Sequence, residues 1–185
     1  PMIPRVGLRM QLSEILNDLT YYGRGPEENY RDRRTSQFIG EYTTPIKDLY
    51  EPYIRPQENE HRTDIYWCAL TTKQKAGLLF IADRTFELNA SNYLLGSLDS
   101  GETIDNGAPR TNETNHRHLT DPQPVKQVDM FIDYRMMGVG GDNSWGAIAH
   151  EPYLIRPGVE NAIEYGFSIV PFDKKADYKN LIYQY

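Results

Sequence analysis

The chain of 185 residues contains 39% hydrophobic and 25% charged residues, the composition of one folded domain with a core of its own. No apolar run approaches the roughly 18 residues that span a bilayer, so a membrane helix is excluded. The net charge of −6 disfavours nucleic acid as a partner, because phosphate binding needs a basic surface. Cys68 is the sole cysteine, which excludes an internal disulfide, and we interpret it as a small buried hydrophobe.

The apolar pattern predicts strands along most of the chain. Apolar and polar residues alternate over Val6–Leu12, which is typical of a half-buried strand. Leu78–Ala82 is continuously apolar and predicts a strand buried on both faces. Further strands are predicted at Phe86–Leu88, Val125–Tyr134 and Ala162–Val170. Short strands separated by turn residues indicate an all-β sandwich or barrel.

Helices and loops are predicted between these strands. Ser91–Leu98 carries leucines at helical spacing and predicts a short helix. Gly23–Tyr66 has four prolines and little periodicity, and Asp99–Pro124 is polar and rich in turn residues, so both are expected to be long loops. The polar segment Asp173–Tyr185 is expected to be a surface tail or a last edge element.

The residue patterns give little support for a hydrolytic site or a metal site. Glu27 and Glu28 are adjacent, so an extended backbone points them apart and makes them a poor acid–base pair. His116 and His118 would share one face of a strand and could chelate a metal. A third ligand is missing nearby, and the alternative is a polar strand end whose histidines bind loops.

The segment Gly138–Asp142 is rich in glycine. It lacks the Lys-Ser/Thr and the following helix of a phosphate loop, so its glycines are interpreted as permitting a tight turn or a close backbone approach. Asp142, Asn143 and Trp145 follow at once. An exposed tryptophan can stack on the C–H face of a sugar while Asp and Asn bind hydroxyls; a packed structural tryptophan is the alternative.

Two other patterns have structural interpretations. The charge run Arg31–Arg34 is flanked by acidic residues, which favours ion pairs over a solvated face. Asn89 and Asn112 begin glycosylation sequons, a match that is common by chance.

Four longer motifs together resemble one family, the C-terminal or small-chain domain of large β-galactosidases of glycoside hydrolase family 2. In family order they are YYGRGPEENYRDR (Tyr21–Arg33), LYEPYIRPQENEHR (Leu49–Arg62), NHRHL (Asn115–Leu119) and MGVGGDNSW (Met137–Trp145). The resemblance runs from about Val6 to about Phe172. We therefore divide the chain into a small-chain-like domain, 1–172, and a C-terminal tail, 173–185.

The resemblance implies an all-β, antiparallel super-sandwich similar to the galactose mutarotase fold. It also implies a parent enzyme that removes terminal non-reducing β-D-galactose from β-galactosides such as lactose, with retention. The two catalytic glutamates, and the Mg and Na ions beside them, would lie in a TIM-barrel domain absent from this chain. This chain would then contribute no catalytic residue and would be inactive alone.

Trp145 matches the family tryptophan whose loop reaches the active-site pocket and binds the group next to galactose. Asp142 and Asn143 are expected to shape that loop and contact substrate. The family usually has a second acid where this chain has Asn143, which removes a charge.

The other motifs are interpreted as structural. Arg31, Asp32, Arg33, Glu58 and Arg62 are expected to pin long loops by ion pairs and by bonds to the backbone.

The family domain is longer on its N-terminal side, and the start at Pro1 suggests a cut inside a longer polypeptide. An N-terminally truncated sandwich exposes sheet edges, so we expect dimerisation at high concentration. The partners implied are the TIM-barrel domain, a β-galactoside and a second copy. A stand-alone carbohydrate-binding module, a purely structural domain and a mutarotase are the alternatives; the chain shows no convincing His/Glu acid–base pair for the last. Cytoplasmic and periplasmic locations both stay open.

Overall fold

The computed structural model describes residues 2–54, 56–98, 120, 122–143, 146–158 and 162–184. In these residues seven strands form: β1 (Arg5–Ser13), β2 (Asp18–Gly25), β3 (Phe38–Pro45), β4 (Arg62–Thr71), β5 (Gly77–Ser91), β6 (Gln127–Met136) and β7 (Phe167–Phe172). The helices are short: α1 (Leu95–Leu98), α2 (Tyr178–Leu181) and 3-10 turns at Ile46–Asp48, Glu151–Tyr153 and Ile182–Gln184. No helix within this part of the chain is long and apolar enough to cross a membrane.

The strands form one open, sandwich-like sheet. Its order is β1-β6-β5-β4-β2-β3, and β7 pairs with β5 off this path. Each of these pairings is antiparallel. The expectation of an all-β antiparallel fold is confirmed, as is a short helix, α1, inside Ser91–Leu98.

Strand β5 is irregular in its middle, where its register with β4 shifts between Ile81 and Phe86; we call this stretch the bend of β5. Before the bend, Gly77–Ala82 pairs with β7 and Gly77–Ile81 pairs with β4; after it, Glu87–Ser91 pairs with β6, and Phe86 and Leu88 also pair with β4. Residues 83–85, within the bend, are all exposed. The prediction of a separate strand at Phe86–Leu88 was wrong, because this polar interruption breaks the apolar pattern while the backbone stays extended. Burial of Leu78–Ala82 on both faces is confirmed, since Phe80 and Leu79 belong to different clusters.

The main core lies on one face of the sheet. Alternate positions of β2, β4, β5 and β6 supply most of it, because successive strand residues point to opposite faces. Its members are Leu19, Tyr21, Ile46, Leu49, Ile65, Cys68, Leu70, Phe80, Phe86, Leu88, Ala90, Val128, Met130 and Ile132. The prediction that Cys68 is a buried hydrophobe is confirmed, and burial raises the pKa of its thiol.

A second cluster lies on the opposite face. It consists of Trp67, Ala69, Leu79, Ile81, Val170 and Phe172. Tyr178, Leu181 and Ile182 pack over it, so the segment after residue 172 lies against the sheet. The side chain of Asp177 caps α2 by accepting from the Lys179 N–H, 3.1 Å away.

Two loop and strand boundaries differ from expectation. The stretch Gly23–Tyr66 is not a single loop, because it contains β3 and the start of β4. Strand β3 was not predicted because it is an edge strand in which half of the residues are exposed and none is buried, which removes the apolar alternation. Strand β2 was not predicted either. At the C-terminal end, β7 begins at Phe167, later than the predicted Ala162.

Candidate functional site

The segment after β6 carries the residues predicted to contact sugar. We call residues 137–146 the tryptophan loop. At its start, the Met137 N–H donates to the carbonyl of Pro4 (2.9 Å), and the Gly138 N–H donates to the carbonyl of Tyr153 (2.8 Å). Two backbone contacts therefore fix where the loop leaves the sheet.

Asp32 binds the backbone of the next residues of the loop. Its Oδ2 accepts from the Gly140 N–H at 2.8 Å, and its Oδ1 accepts from the Val139 N–H at 3.2 Å. A Cβ on Gly138 would lie 2.5 Å from Asp32 Oδ2 and 2.9 Å from Ala149 Cβ. The glycine therefore permits a close approach, as predicted. Two motifs more than a hundred residues apart meet at this point.

The described residues next to the tip of the loop are open to solvent. Asp142 and Asn143 are exposed, and Ser144 and Trp145 lie outside the described residues. The Nε2 atom of His150 lies 2.8 Å from Asp142 Oδ1, and the two side chains are 64% and 77% exposed. The sequence did not indicate this partner for Asp142. Contact of the tip with sugar stays a prediction.

The charge run of the first motif forms ion pairs, as predicted. Arg33 pairs with Glu28, whose side chain is nearly buried. Arg24 and Arg34 both bind Asp64, at 2.7 and 2.9 Å. The two pairs to Asp64 join β2 and the segment after it to β4.

Arg62 pins backbone inside the fold, which confirms its predicted role. It is 4% exposed. Its Nη1 donates to the carbonyl of Glu60 (2.7 Å) and its Nε to the Tyr21 hydroxyl (3.2 Å). Arg31 has a different environment, in which burial and the neighbouring Arg135 lower the pKa of its guanidinium.

Glu28 has a structural role and is not half of an acid–base pair with Glu27, in agreement with the prediction. Its carboxylate accepts from the Glu60 N–H at 2.8 Å and from the hydroxyls of Tyr30 and Tyr53. Glu27 is exposed. The two carboxylates lie in different surroundings, and the Glu28 carboxylate is already used as a hydrogen-bond acceptor inside the fold.

A buried His–Glu pair lies behind the tryptophan loop, and the sequence analysis missed it. His61 is fully buried, with Nε2 at 3.0 Å from Glu87 Oε2 and Nδ1 at 2.7 Å from Asn89 Oδ1. Burial lowers the pKa of His61, but the hydrogen bond and negative charge of Glu87, together with the bond to Asn89, outweigh burial, and the net direction is upward. The backbone N–H of Met136 also donates to Glu87, and the ring of Tyr30 stacks on His61. His61 is sealed from solvent, and both of its ring nitrogens have partners.

One signal in the sequence could have revealed this pair. Glu87 and Asn89 alternate with Phe86, Leu88 and Ala90 on β5. Two polar residues at i and i+2 share one face of a strand, and here the other face is apolar. Such a polar face inside a buried strand requires buried partners.

The remaining chemical motifs have simple outcomes. Asn89 is 5% exposed, so its sequon is a chance match. The Asn112 sequon, the NHRHL motif and the proposed metal pair His116 and His118 lie outside the described residues.

His61, Glu87 and Asp133 are buried together, and we call them the buried polar layer. Arg5 links this layer to Glu58. Its guanidinium lies 2.9 Å from Asp133 and 2.8 Å from Glu58, and it stacks on the ring of Phe131 at 4.4 Å. Burial raises the pKa of Asp133 to about 7, although Arg5 pulls it down. The predicted structural role of Glu58 is confirmed, because it also accepts from Asn89.

A separate polar groove of about 670 Å³ opens where β5 bends. Its charged and aromatic lining comprises Asp83, Arg84, Tyr134, Arg135, Glu164 and Tyr165. Carboxylates, guanidinium groups and tyrosine rings in one groove are suited to hydroxyl-rich ligands.

The family model described as β-galactosidase small chain matches residues 1–169. The chain belongs to the β-galactosidase small-chain family. It is 34% identical over 155 residues to a β-galactosidase of Priestia megaterium and 32% identical over 155 residues to one of Vibrio cholerae, with 84% of this chain covered in each case. A β-galactosidase of Staphylococcus xylosus is 28% identical over 169 residues, 91% of this chain.

The small-chain family assignment covers a limited part of these relatives. The chain spans 13–15% of the length of the β-galactosidases named above. The last residues of the chain, from 170 onward, lie beyond the family match. They include α2, which packs on the second cluster.

Proposed function

We propose that this chain is a non-catalytic domain of a larger β-galactosidase, which removes terminal non-reducing β-D-galactose from β-galactosides such as lactose. Family membership supports this proposal, together with the small fraction of each relative that the chain covers. The rest of that polypeptide, with its TIM-barrel domain, would be the main partner.

The domain's contribution to the site is the tryptophan loop. This proposal rests on the two hydrogen bonds that Asp32 accepts from the N–H groups of Val139 and Gly140. These bonds hold the base of an exposed loop. A rigid base lets the tip present an aromatic face without a large ordering cost on binding. Trp145 would pack on the sugar, and Asp142 and Asn143 would bind hydroxyls.

The bond-breaking chemistry would belong to the barrel. A retaining glycosidase needs two carboxyl groups about 5 Å apart on either side of the scissile bond. The buried carboxyl groups Asp133 and Glu87 face the polar interior. Following the family resemblance, we place the catalytic glutamates and their Mg and Na ions in the barrel, and expect no hydrolysis by this chain alone.

The test is Trp145→Ala in the native enzyme. We expect KM for lactose to rise about tenfold, because a lost aromatic contact costs on the order of 1.4 kcal/mol. Trp67→Phe is the matched control, since Trp67 is buried in the second cluster and should leave KM unchanged. Unchanged kinetics on lactose in Trp145→Ala would remove the loop from the site.

The domain proposal itself has a simpler test, an immunoblot of source-cell extract with antibody against this chain. We expect a band several times larger than 21.4 kDa. A band at the size of the chain would show that it exists alone.

A stand-alone carbohydrate-binding module is the second candidate, and the groove at the bend of β5 favours it. If the chain is such a module, calorimetry should detect binding of galactose or lactose to the isolated chain. Arg135→Ala should weaken that binding. No heat of binding with the unmodified chain would exclude it.

A further inference from the structure

A small cavity lies beneath α1, apart from the tryptophan loop, and is lined mainly by oxygen-bearing side chains. Its volume is about 10 Å³, room for one water-sized sphere. The polar lining consists of Glu58, Asn59, Glu60, Asn89, Ser91 and Asp129.

Three oxygen atoms on this lining lack hydrogen-bond partners. Both carboxylate oxygens of Glu60 and the Oδ1 of Asn59 are buried and unpaired. Glu60 is 2% exposed and Asn59 is 3% exposed. The Asn59 amide nitrogen donates to the carbonyls of Gln57 (3.1 Å) and Glu51 (3.4 Å), so the amide orientation is settled and the oxygen is the atom left over. A buried polar atom without a partner is costly.

The other two acids of the cavity already have cations. Glu58 binds Arg5 at 2.8 Å, and Asp129 binds Arg9 at 2.8 Å. Glu60 has no ion pair within the described part of the chain. When Glu60 is ionised, its charge therefore has no direct counter-ion among the described residues, and the nearby Arg62 offsets it in part.

The backbone holds the Glu60 side chain inward. Its N–H donates to Glu28, and its carbonyl accepts from Arg62. Its φ of 64° lies in the left-handed region, which a glutamate adopts only when surrounding contacts impose it. Both backbone groups of Glu60 are therefore fixed, and its carboxylate oxygens are buried.

We propose that this cavity is a binding site for one monovalent cation, held by the Glu60 carboxylate, the Asn59 amide oxygen and the Ser91 hydroxyl. A single anionic ligand among neutral oxygens suits an ion of charge one. A neutral water molecule would supply hydrogen bonds but leave the buried charge without a direct counter-ion. Burial raises the pKa of Glu60 to about 8, although the Ser91 hydroxyl beside it and the charge of Arg62 lower it.

The test is thermal unfolding of the full chain at pH 8 in equal concentrations of NaCl, KCl and tetramethylammonium chloride. The large organic cation does not fit a cavity of this size. We expect Tm in NaCl or KCl to exceed that in tetramethylammonium chloride by about 4 °C at ten times the dissociation constant, and to saturate. At pH 5 the difference should shrink, because protons compete for the carboxylate.

Glu60→Gln should abolish the cation response, and Glu60→Gly should do the same while accommodating the positive φ. Glu14→Gln, an exposed acid, is the control and should retain the response. Equal Tm values in the three chlorides would overturn the proposal. A cation response that persists in both Glu60 variants would also overturn it. The proposal does not depend on the proposed β-galactosidase role, and its failure would leave that role untouched.

Discussion

The tryptophan loop and the polar layer behind it differ in solvent exposure and in the contacts that hold them. The loop is held at its base by backbone groups, with Asp32 as the main side-chain anchor, and Asp142 and Asn143 near its tip are exposed. The polar layer of His61, Glu87 and Asp133 is buried; His61 binds Glu87, and Arg5 lies beside Asp133. In the proposed function the exposed loop meets the ligand, whereas the polar layer contributes stability and shape.

The largest expected difference between these regions concerns their two histidines. His61→Ala should lower the free energy of unfolding by about 3–5 kcal/mol, because it leaves Glu87 buried beside an empty space. His150→Ala, on the exposed loop side, should change it by less than about 1 kcal/mol. Urea unfolding of the full chain measures both. Similar losses in the two variants would mean that the buried layer is not the stabilising region.

The pH dependence of stability should also originate in the buried layer. The folded pKa of Asp133, about 7, lies above its ordinary value of 3.8, so the native state holds a proton that the unfolded state releases. Stability should therefore fall as pH rises from about 4 to about 7, by at most about 1.4 kcal/mol per pH unit for this group. The raised pKa of His61, which faces the same layer, acts in the same direction. Unfolding curves at several pH values should show a shallower slope in Asp133→Asn.

The exposed Asp142→Asn serves as the control for that pH series and should keep the full slope. If Asp133→Asn keeps it as well, Asp133 is ionised in the folded chain across this range, and Arg5 outweighs burial.

Within the loop, we expect a smaller difference in the free energy of unfolding between a substitution at the base and one near the tip. Asp32→Ala should cost about 1 kcal/mol, because two backbone N–H groups lose their acceptor. Asp142→Ala should cost less, since it loses one solvent-exposed contact. In the native enzyme Asp32→Ala should also raise KM for lactose. An Asp32→Ala enzyme with wild-type KM would show that these hydrogen bonds do not position the tip.

The smallest effect concerns the sheet edge, a second exposed region. Strand β3 ends the strand order, and its Phe38 is 71% exposed. We expect weak dimerisation of the isolated chain at high concentration, and Phe38→Lys should reduce it. Sedimentation velocity over a concentration series measures this. A strictly monomeric profile at every concentration would contradict the expectation.

Sequence reasoning succeeded where burial leaves a clear apolar pattern. The strand at Val6–Leu12 was predicted from alternation with a period of two, and the strand at Leu78–Ala82 from a continuous apolar run. It failed at β3, where an exposed edge strand carries no such period. It also split β5, because three polar residues at a bend look like a turn.

The candidate site was predicted in part. The motif ending in Trp145 indicated the loop, and the ion pairs of Arg33 and the pinning role of Arg62 followed from their motifs. The contact of Asp32 with Gly140 joins residues 108 positions apart, and local patterns carry no information about such a pairing. The same holds for His61 and Glu87.

By itself the sequence determined the all-β class, the family and the place of the tryptophan loop, because these follow from local periodicity and from motifs that are continuous in the chain. Only the tertiary structure decided which polar groups are buried together. The pairing of β4, β5 and β6 brings Glu60, His61, Glu87 and Asp133 into one interior layer. Their burial, and so their charge state, depends on strand register, which is a property of the assembled sheet.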